Sequence, residues 1–289
     1  MSEKNFADAG SSYDDSDFVV LGIEFDATSS FVNGSAMAPK SIREMSYNFE
    51  EYQMEYDLDL RDLKVHDAGD MEELGIDAEQ AVNAISERAG RFWKDSKIPI
   101  FLGGEHTATV GALRPLAGKD NVGIIIVDAH LDYREDYMDD PYSHACVTRR
   151  LTELFGRDSV ICLGIRSISG DEVKEKDLPK YYSSYDIYQK GIPTIIDEAM
   201  HLLGKERIYL SIDMDGLDPA FAPGVGNPEP FGLSPLDIKV IIDTIAPRAI
   251  GMDIVEVCPP RDNGNTSALA ARLVRMFIAS HAAERLVPE

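Results

Sequence analysis

Aspartate, histidine and glutamate gather at four places in this 289-residue sequence, and their spacing suits work on bound cations. Asp128-Ala129-His130-Leu131-Asp132 sets a carboxylate, an imidazole and a carboxylate at alternate positions. Alternate side chains of an extended segment point the same way. Asp213-Met214-Asp215 does the same with two carboxylates, His106 stands in Gly103-Gly104-Glu105-His106-Thr107, and Glu256 ends Asp253-Ile254-Val255-Glu256. Such ligands crowded together would repel one another and desolvate badly without cations. Four carboxylates (Asp128, Asp132, Asp213, Asp215) and two histidines (His106, His130) are too many for one tetrahedral zinc. They suit two metals roughly 3.5–4 Å apart with aspartates bridging them. The absence of thiolates points to a hard or borderline metal such as Mn²⁺.

Each piece alone has a plainer reading. An isolated Asp-x-Asp is usually a turn or solvated edge, a lone histidine is usually structural, and an aspartate after a strand can cap a helix. A calcium loop over Asp213–Asp218 fails because its glycine should be sixth, whereas Gly216 is fourth. Ser143 has no evident base-and-acid partners for serine hydrolysis. His66-Asp67-Ala68-Gly69-Asp70 reads as a turn after a strand, His201 and His281 as structural or exposed helix residues, and Trp93 as packing at a helix end.

These clusters follow short apolar runs: Ile98 to Leu102, Val122 to Val127, Ile208 to Ile212 and Ala249 to Val255. With Phe18 to Ile23 and Val160 to Gly164, most of these runs are nearly continuous in Val, Ile and Leu, the pattern of parallel strands buried on both faces. Leu63 to His66 and the YYSSYDI segment are further strand candidates. Helices are expected over Pro39 to Asn48, Asp77 to Asp95, Thr107 to Leu116, His144 to Phe155, Ile192 to Leu203, Ser234 to Thr244 and Thr266 to Glu284. The alternation means an α/β fold with a parallel sheet and right-handed crossovers. Ligands in such folds bind at the carboxyl ends of strands, so the four clusters can converge on one crevice.

The composition, 44% hydrophobic and 27% charged, is that of a globular protein. The length suits one large domain over residues 1–289, with an acidic, loose lead-in over residues 1–16. No apolar run is long enough to span a membrane, and the start lacks the features of a signal peptide, so a cytoplasmic location is expected. Cys146, Cys162 and Cys258 read as buried free thiols. The net charge of -23 argues against nucleic-acid binding and against anionic membranes. It serves solubility first and attraction of a cationic substrate second.

The segments GGEHT, DAHLD, SHAC, SIDMDGLDPAFAPGVGNPEP and DIVEVCPP, with GIEFDATSSFVNGSAMAPKSIRE near the start, resemble the ureohydrolase family of arginases and agmatinases. The resemblance covers nearly the whole chain and implies a three-layer α/β/α domain with a dinuclear manganese site. By motif it implies that His106 and Asp132 bind one manganese, His130 and Asp215 the other, and that Asp128 and Asp213 bridge them. His144 matches the family's proton-transfer histidine, and Glu256 the carboxylate that holds the guanidinium. A planar guanidinium does favour a carboxylate with paired hydrogen bonds.

The resemblance implies release of urea and an amine from a guanidino compound, and a homotrimer or homohexamer. Tyr133 to Tyr142, carrying Glu135, Asp139 and Asp140, departs from arginase and looks like agmatinases. The plainer reading of these acids is solvated loop charges; if they face the substrate, they would be poor hosts for a carboxylate. Agmatine, yielding putrescine, is the expected substrate. Arg134 keeps a carboxylate-bearing guanidine such as guanidinobutyrate or arginine as the alternative. Asn227 and Ala145-Cys146 depart from the commoner family residues and bear on fine specificity. Other classes are an inactive metal-stabilised scaffold and a metal-dependent deacetylase.

Overall fold

The Val-, Ile- and Leu-rich runs become the strands of one sheet in the computed structural model, which describes residues 5–71, 74–75, 77–119 and 121–286, with 284–286 as backbone. The strands are β1 (Phe18–Ile23), β2 (Tyr52–Gln53), β3 (Leu58–Asp59), β4 (Val65–Met71), β5 (Ile98–Leu102), β6 (Val122–Val127), β7 (Val160–Ile165), β8 (Lys180–Ser183), β9 (Arg207–Asp213) and β10 (Ala249–Val255). Eight of them form a sheet in the order β4-β1-β5-β10-β9-β6-β7-β8. Every pairing in it is parallel. The short β2 and β3 pair as an antiparallel hairpin that apolar patterning does not announce.

The helices are α1 (Ala38–Ser46), α2 (Ala78–Lys94), α3 (Thr107–Leu113), α4 (Val147–Phe155), α5 (Ser184–Lys190), α6 (Ile192–Leu203), α7 (Pro235–Ile245) and α8 (Asn265–Leu286). They divide between the two faces of the sheet. Val19, Leu21 and Ile23 of β1 share one core with α2, α3 and α4. The alternate Phe18 and Val20 share the other with α1, α5, α6, α7 and α8. Period-two alternation on a doubly covered sheet requires this division, and it makes a three-layer α/β/α fold.

Local chemistry sets the element ends. Ser234 caps α7, accepting from the Asp237 amide while the Asp237 carboxylate accepts from the Ser234 amide. The same device corrects the expectation for YYSSYDI: only its first part is strand, because Ser183 and Asp186 form a capping box that starts α5. The strand expected over Leu63 to His66 lies further along, at Val65–Met71.

The acidic lead-in is fastened rather than loose over its described part; residues 1–4 lie outside the described residues. Phe6 is buried, its amide donates to Asp67, and Asp8 pairs with the fully buried Arg275. Arg43 holds Asp67 through Nε and Nη2 and also pairs with Asp70. The His66–Asp70 segment is thus a structural ion network. Among the described residues, no helix is long and apolar enough to cross a membrane.

β5 and β6 follow one another in the chain, yet β10 and β9 lie between them in the sheet. A crevice opens outside the carboxyl ends of strands where the winding reverses. All four expected clusters sit at the ends of these four adjacent strands.

Candidate metal centre

At the end of β5 the chain passes beneath the β1 end so closely that a Cβ on Gly104 would lie 2.0 Å from the Phe25 carbonyl oxygen. Only glycine fits this approach. Gly104 O accepts from the Glu256 amide at 2.8 Å, and Glu256 Oε1 accepts from the His106 amide at 2.8 Å. These bonds lock the ends of β5 and β10 together. After β6, Asp128 Oδ1 accepts from the His130 amide at 2.6 Å; at the last residue of β9, Asp213 Oδ1 accepts from the Asp215 amide at 2.8 Å. Asp132 and Glu256 have φ of +50° and +62°, unusual for residues with side chains, and such strain collects at functional sites.

The side chains meet in two overlapping groups. His106 Nδ1 lies 3.1 Å from Asp128 Oδ2, 3.3 Å from Asp213 Oδ2 and 3.5 Å from Asp132 Oδ2. His130 Nδ1 lies 3.0 Å from Asp215 Oδ2 and 3.6 Å from Asp128 Oδ1. Donor atoms of His106, Asp128 and Asp132 all lie within 4.8 Å of one another, as do those of Asp128, His130 and Asp215. Asp128 belongs to both groups, one oxygen facing each histidine.

The donor set fits cations. His106 Nδ1 and Asp128 Oδ2 are buried, face one another and have no hydrogen-bond partner. Electrostatics show the same unmet demand. Burial pushes Asp132 up to about 7, and the charge of Asp128 adds to it. Burial and the charges of Asp215 and Asp128 hold Asp213 well above the carboxylate range. Burial opposes charge on His106, but Asp128, Asp132 and Asp213 outweigh it and raise its pKa well above the usual value. A pair of divalent ions would neutralise the carboxylates and take the imidazole lone pairs.

Above the ligands lies a cleft of about 130 Å³, lined by His130, Asp132, Asp213, Asp215, His144 and Glu256 among others. His106 and Asp128 lie beneath it, fully buried. His144 opens the short 3-10 turn capped by Ser143, and its Nδ1 is 3.1 Å from Thr28 Oγ1. Burial, with the charges of His106 and His130, lowers its pKa to about 4. The structure therefore brings every candidate ligand, His144 and Glu256 to one place.

In the acidic loop Glu135 and Asp139 are solvated charges, the plainer of the two readings of its sequence. Of residues 133–142, Arg134 and Tyr137 line the cleft. Glu135, Asp136 and Asp139 border a separate surface depression with Arg149 and Arg150. The cause is a tight turn, closed by Tyr137 and Asp140, in which Met138 and Asp139 have positive φ. The further carboxylate on the cleft wall is Glu172, whose oxygens accept from the amides of Tyr133 and Ser169 at 2.8 Å each.

Sequence reasoning missed Glu172, Thr28, Arg166, Ser211 and Asp253. Arg166 donates to the carbonyls of Asp215, Leu217 and Glu229, tying the β9 loop to the segment after it. Ser211 and Asp253 carried a signal, since each is a polar residue inside an apolar run that folds as an almost wholly buried strand. Such groups must find partners. Thr28 and Glu172 carried none.

The model of the arginase family matches residues 16–279 of the chain. The chain is similar to the solved agmatine ureohydrolase of Thermoplasma volcanium, with a TM-score of 0.95 and 45% identity over 99% of this chain and 96% of that one. It is 34% identical to the N(1)-aminopropylagmatine ureohydrolase of Thermococcus kodakarensis, over 92% of this chain and 91% of that protein. It is also 34% identical to the agmatinase of Pyrococcus horikoshii, over 93% of each.

Proposed function

This chain belongs to the arginase family, and from that premise we propose that it hydrolyses agmatine to urea and putrescine at a pair of Mn²⁺ ions. The observation that carries this reading is the double ligand group sharing Asp128, with Glu256 in the same cleft. His106 and Asp132 would hold one ion, His130 and Asp215 the other, with Asp128 and Asp213 between them. The whole chain would act as a single cytoplasmic catalytic domain in a homotrimer or homohexamer, which sedimentation would test.

When bound, the metal pair lowers the pKa of water and supplies a nucleophile near neutral pH. Glu256 binds the guanidinium through charge-assisted hydrogen bonds and sets its carbon in line for attack. Addition of water breaks one carbon–nitrogen bond, leaving urea, and the departing amine needs a proton. His144 handles that proton: Thr28 engages its Nδ1, leaving Nε2 for exchange. Glu172 offers a carboxylate on the cleft wall for the substrate's terminal ammonium.

Arg134 on the same wall supports a second reading, a guanidine with a terminal carboxylate. Urea release by the Mn²⁺-loaded protein from agmatine, arginine and 4-guanidinobutyrate tests both. Preference for agmatine is expected. Preference for a carboxylate-bearing substrate would overturn the substrate assignment alone, and no urea from any of the three would overturn the reaction.

A further inference from the structure

We propose that Asp253 and Ser211 fix the tautomer of His106, keeping its Nδ1 as a lone pair turned to the metal. The inference rests on the metal reading of the same site and assigns two further positioning residues to it. In the register of β10 on β9, Asp253 stands beside Ser211. Both are fully buried. Ser211 Oγ donates to Asp253 Oδ1 at 2.6 Å, and the Tyr209 hydroxyl donates to Asp253 Oδ2 at 2.8 Å.

A serine hydroxyl has one hydrogen. With that hydrogen given to Asp253, Ser211 Oγ can only accept from His106 Nε2, 3.2 Å away. The proton of a neutral His106 therefore sits on Nε2, and Nδ1 carries the lone pair. That lone pair faces Asp128 Oδ2 at 3.1 Å, both atoms lacking any hydrogen-bond partner. With a cation between them, the two atoms become two ligands. A partner that holds the far nitrogen of a metal-bound histidine typically accounts for about 10–100-fold in metal affinity. Here the support arrives through a hydroxyl, with the carboxylate one step behind it.

Asp253→Asn is the sharpest probe, because it keeps the shape while reversing the chain. The new amide can donate to Ser211 Oγ, which frees the Ser211 hydrogen to point at His106 Nε2. Nδ1 then keeps the proton and cannot ligate. Tyr209→Phe is the control, since it removes a donor from the other oxygen and leaves the Ser211 hydrogen engaged.

The test is calorimetric titration of the metal-free full chain with Mn²⁺, for wild type, Asp253→Asn, Ser211→Ala and Tyr209→Phe. Asp253→Asn and Ser211→Ala should weaken one of the two binding events by about 10–100-fold and leave the other within about twofold. Tyr209→Phe should leave both near wild type. Wild-type affinity for both ions in Ser211→Ala and Asp253→Asn would overturn the proposal, as would an equal loss in Tyr209→Phe, which would mark a merely structural role. Should Asp253→Asn fail to fold, Ser211→Ala decides in the same way. Neither result touches the proposed reaction, which fails separately if the wild type binds no metal or releases no urea.

Discussion

Thr28 Oγ1 stands 3.1 Å from His144 Nδ1 while giving its hydrogen to Glu105, 2.6 Å away. It also accepts from the His144 backbone amide at 3.0 Å. One hydroxyl from the loop after β1 thus fixes both the ring and the backbone of the cleft histidine. Thr28→Val should lower kcat by about 5–10-fold, the value of one hydrogen bond of roughly 1 kcal/mol, with metal content unchanged. Thr28→Ser should restore most of the rate. Steady-state urea release with parallel metal analysis reads both.

Asp128 takes part in both ligand groups, whereas His130 takes part in one. Asp128→Ala should therefore lose both metals together with activity. His130→Ala should retain one metal per chain and fall in activity. Elemental analysis after gel filtration distinguishes the two patterns, and two metals per chain in Asp128→Ala would reject its bridging position.

Glu256 is held by the Gly104 carbonyl through its own amide and holds the His106 amide through Oε1. Glu256→Gln preserves that shape and removes the charge facing a guanidinium. Loss of a charge-assisted bond of about 2–3 kcal/mol predicts roughly a hundredfold fall in kcat/KM for agmatine with both metals present. An unchanged kcat/KM would remove Glu256 from substrate binding.

The chemistry was legible where it broke the rules of packing. Aspartate and histidine at alternate positions at or just past the end of a doubly buried strand serve no core, so Asp128, His130, Asp132, Asp213 and Asp215 declared themselves. The supporting residues did not, because their partners are distant in sequence: Thr28 meets Glu105 across 77 residues and Ser211 meets His106 across 105. The loop at 133–142 left two readings open because its charge was readable and its turn was not. Positive φ at Met138 and Asp139 decides which way those acids face, and neither residue type announces it. Helix ends were read well where a serine and a proline marked them, as at Ser234, and poorly where the capping box of Ser183 lay inside a strand-like run.

Arg43 offers a test of stability away from the chemistry. Its guanidinium is buried between Asp67 and Asp70 and also donates to the Gly69 carbonyl at 2.9 Å. Arg43→Met leaves two carboxylates without their cation and should cost about 3–5 kcal/mol of folding stability. Denaturant unfolding of the metal-free protein measures it, and a loss below about 1 kcal/mol would deny the network its structural role.

The three thiols give a check on packing. Burial pushes Cys146 and Cys162 up to about 12, and raises Cys258 as well. Since the thiolate is the reactive form, iodoacetamide at pH 8 should leave all three unlabelled in the native protein and modify them after denaturation. Rapid labelling of Cys146 or Cys162 in the native state, read by mass spectrometry, would contradict the packing described.

The place of β10 has a consequence for how the protein comes into being. It is the last strand among the described residues, yet it lies in the middle of the sheet, between β5 and β9. Until residues 249–255 emerge from the ribosome, the β4-β1-β5 portion and the β9-β6-β7-β8 portion have no strand joining them. His106 belongs to the first portion and the four ligand aspartates to the second. A nascent chain thus carries every ligand before it can assemble them, and its metal chemistry stays silent until β10 has been made.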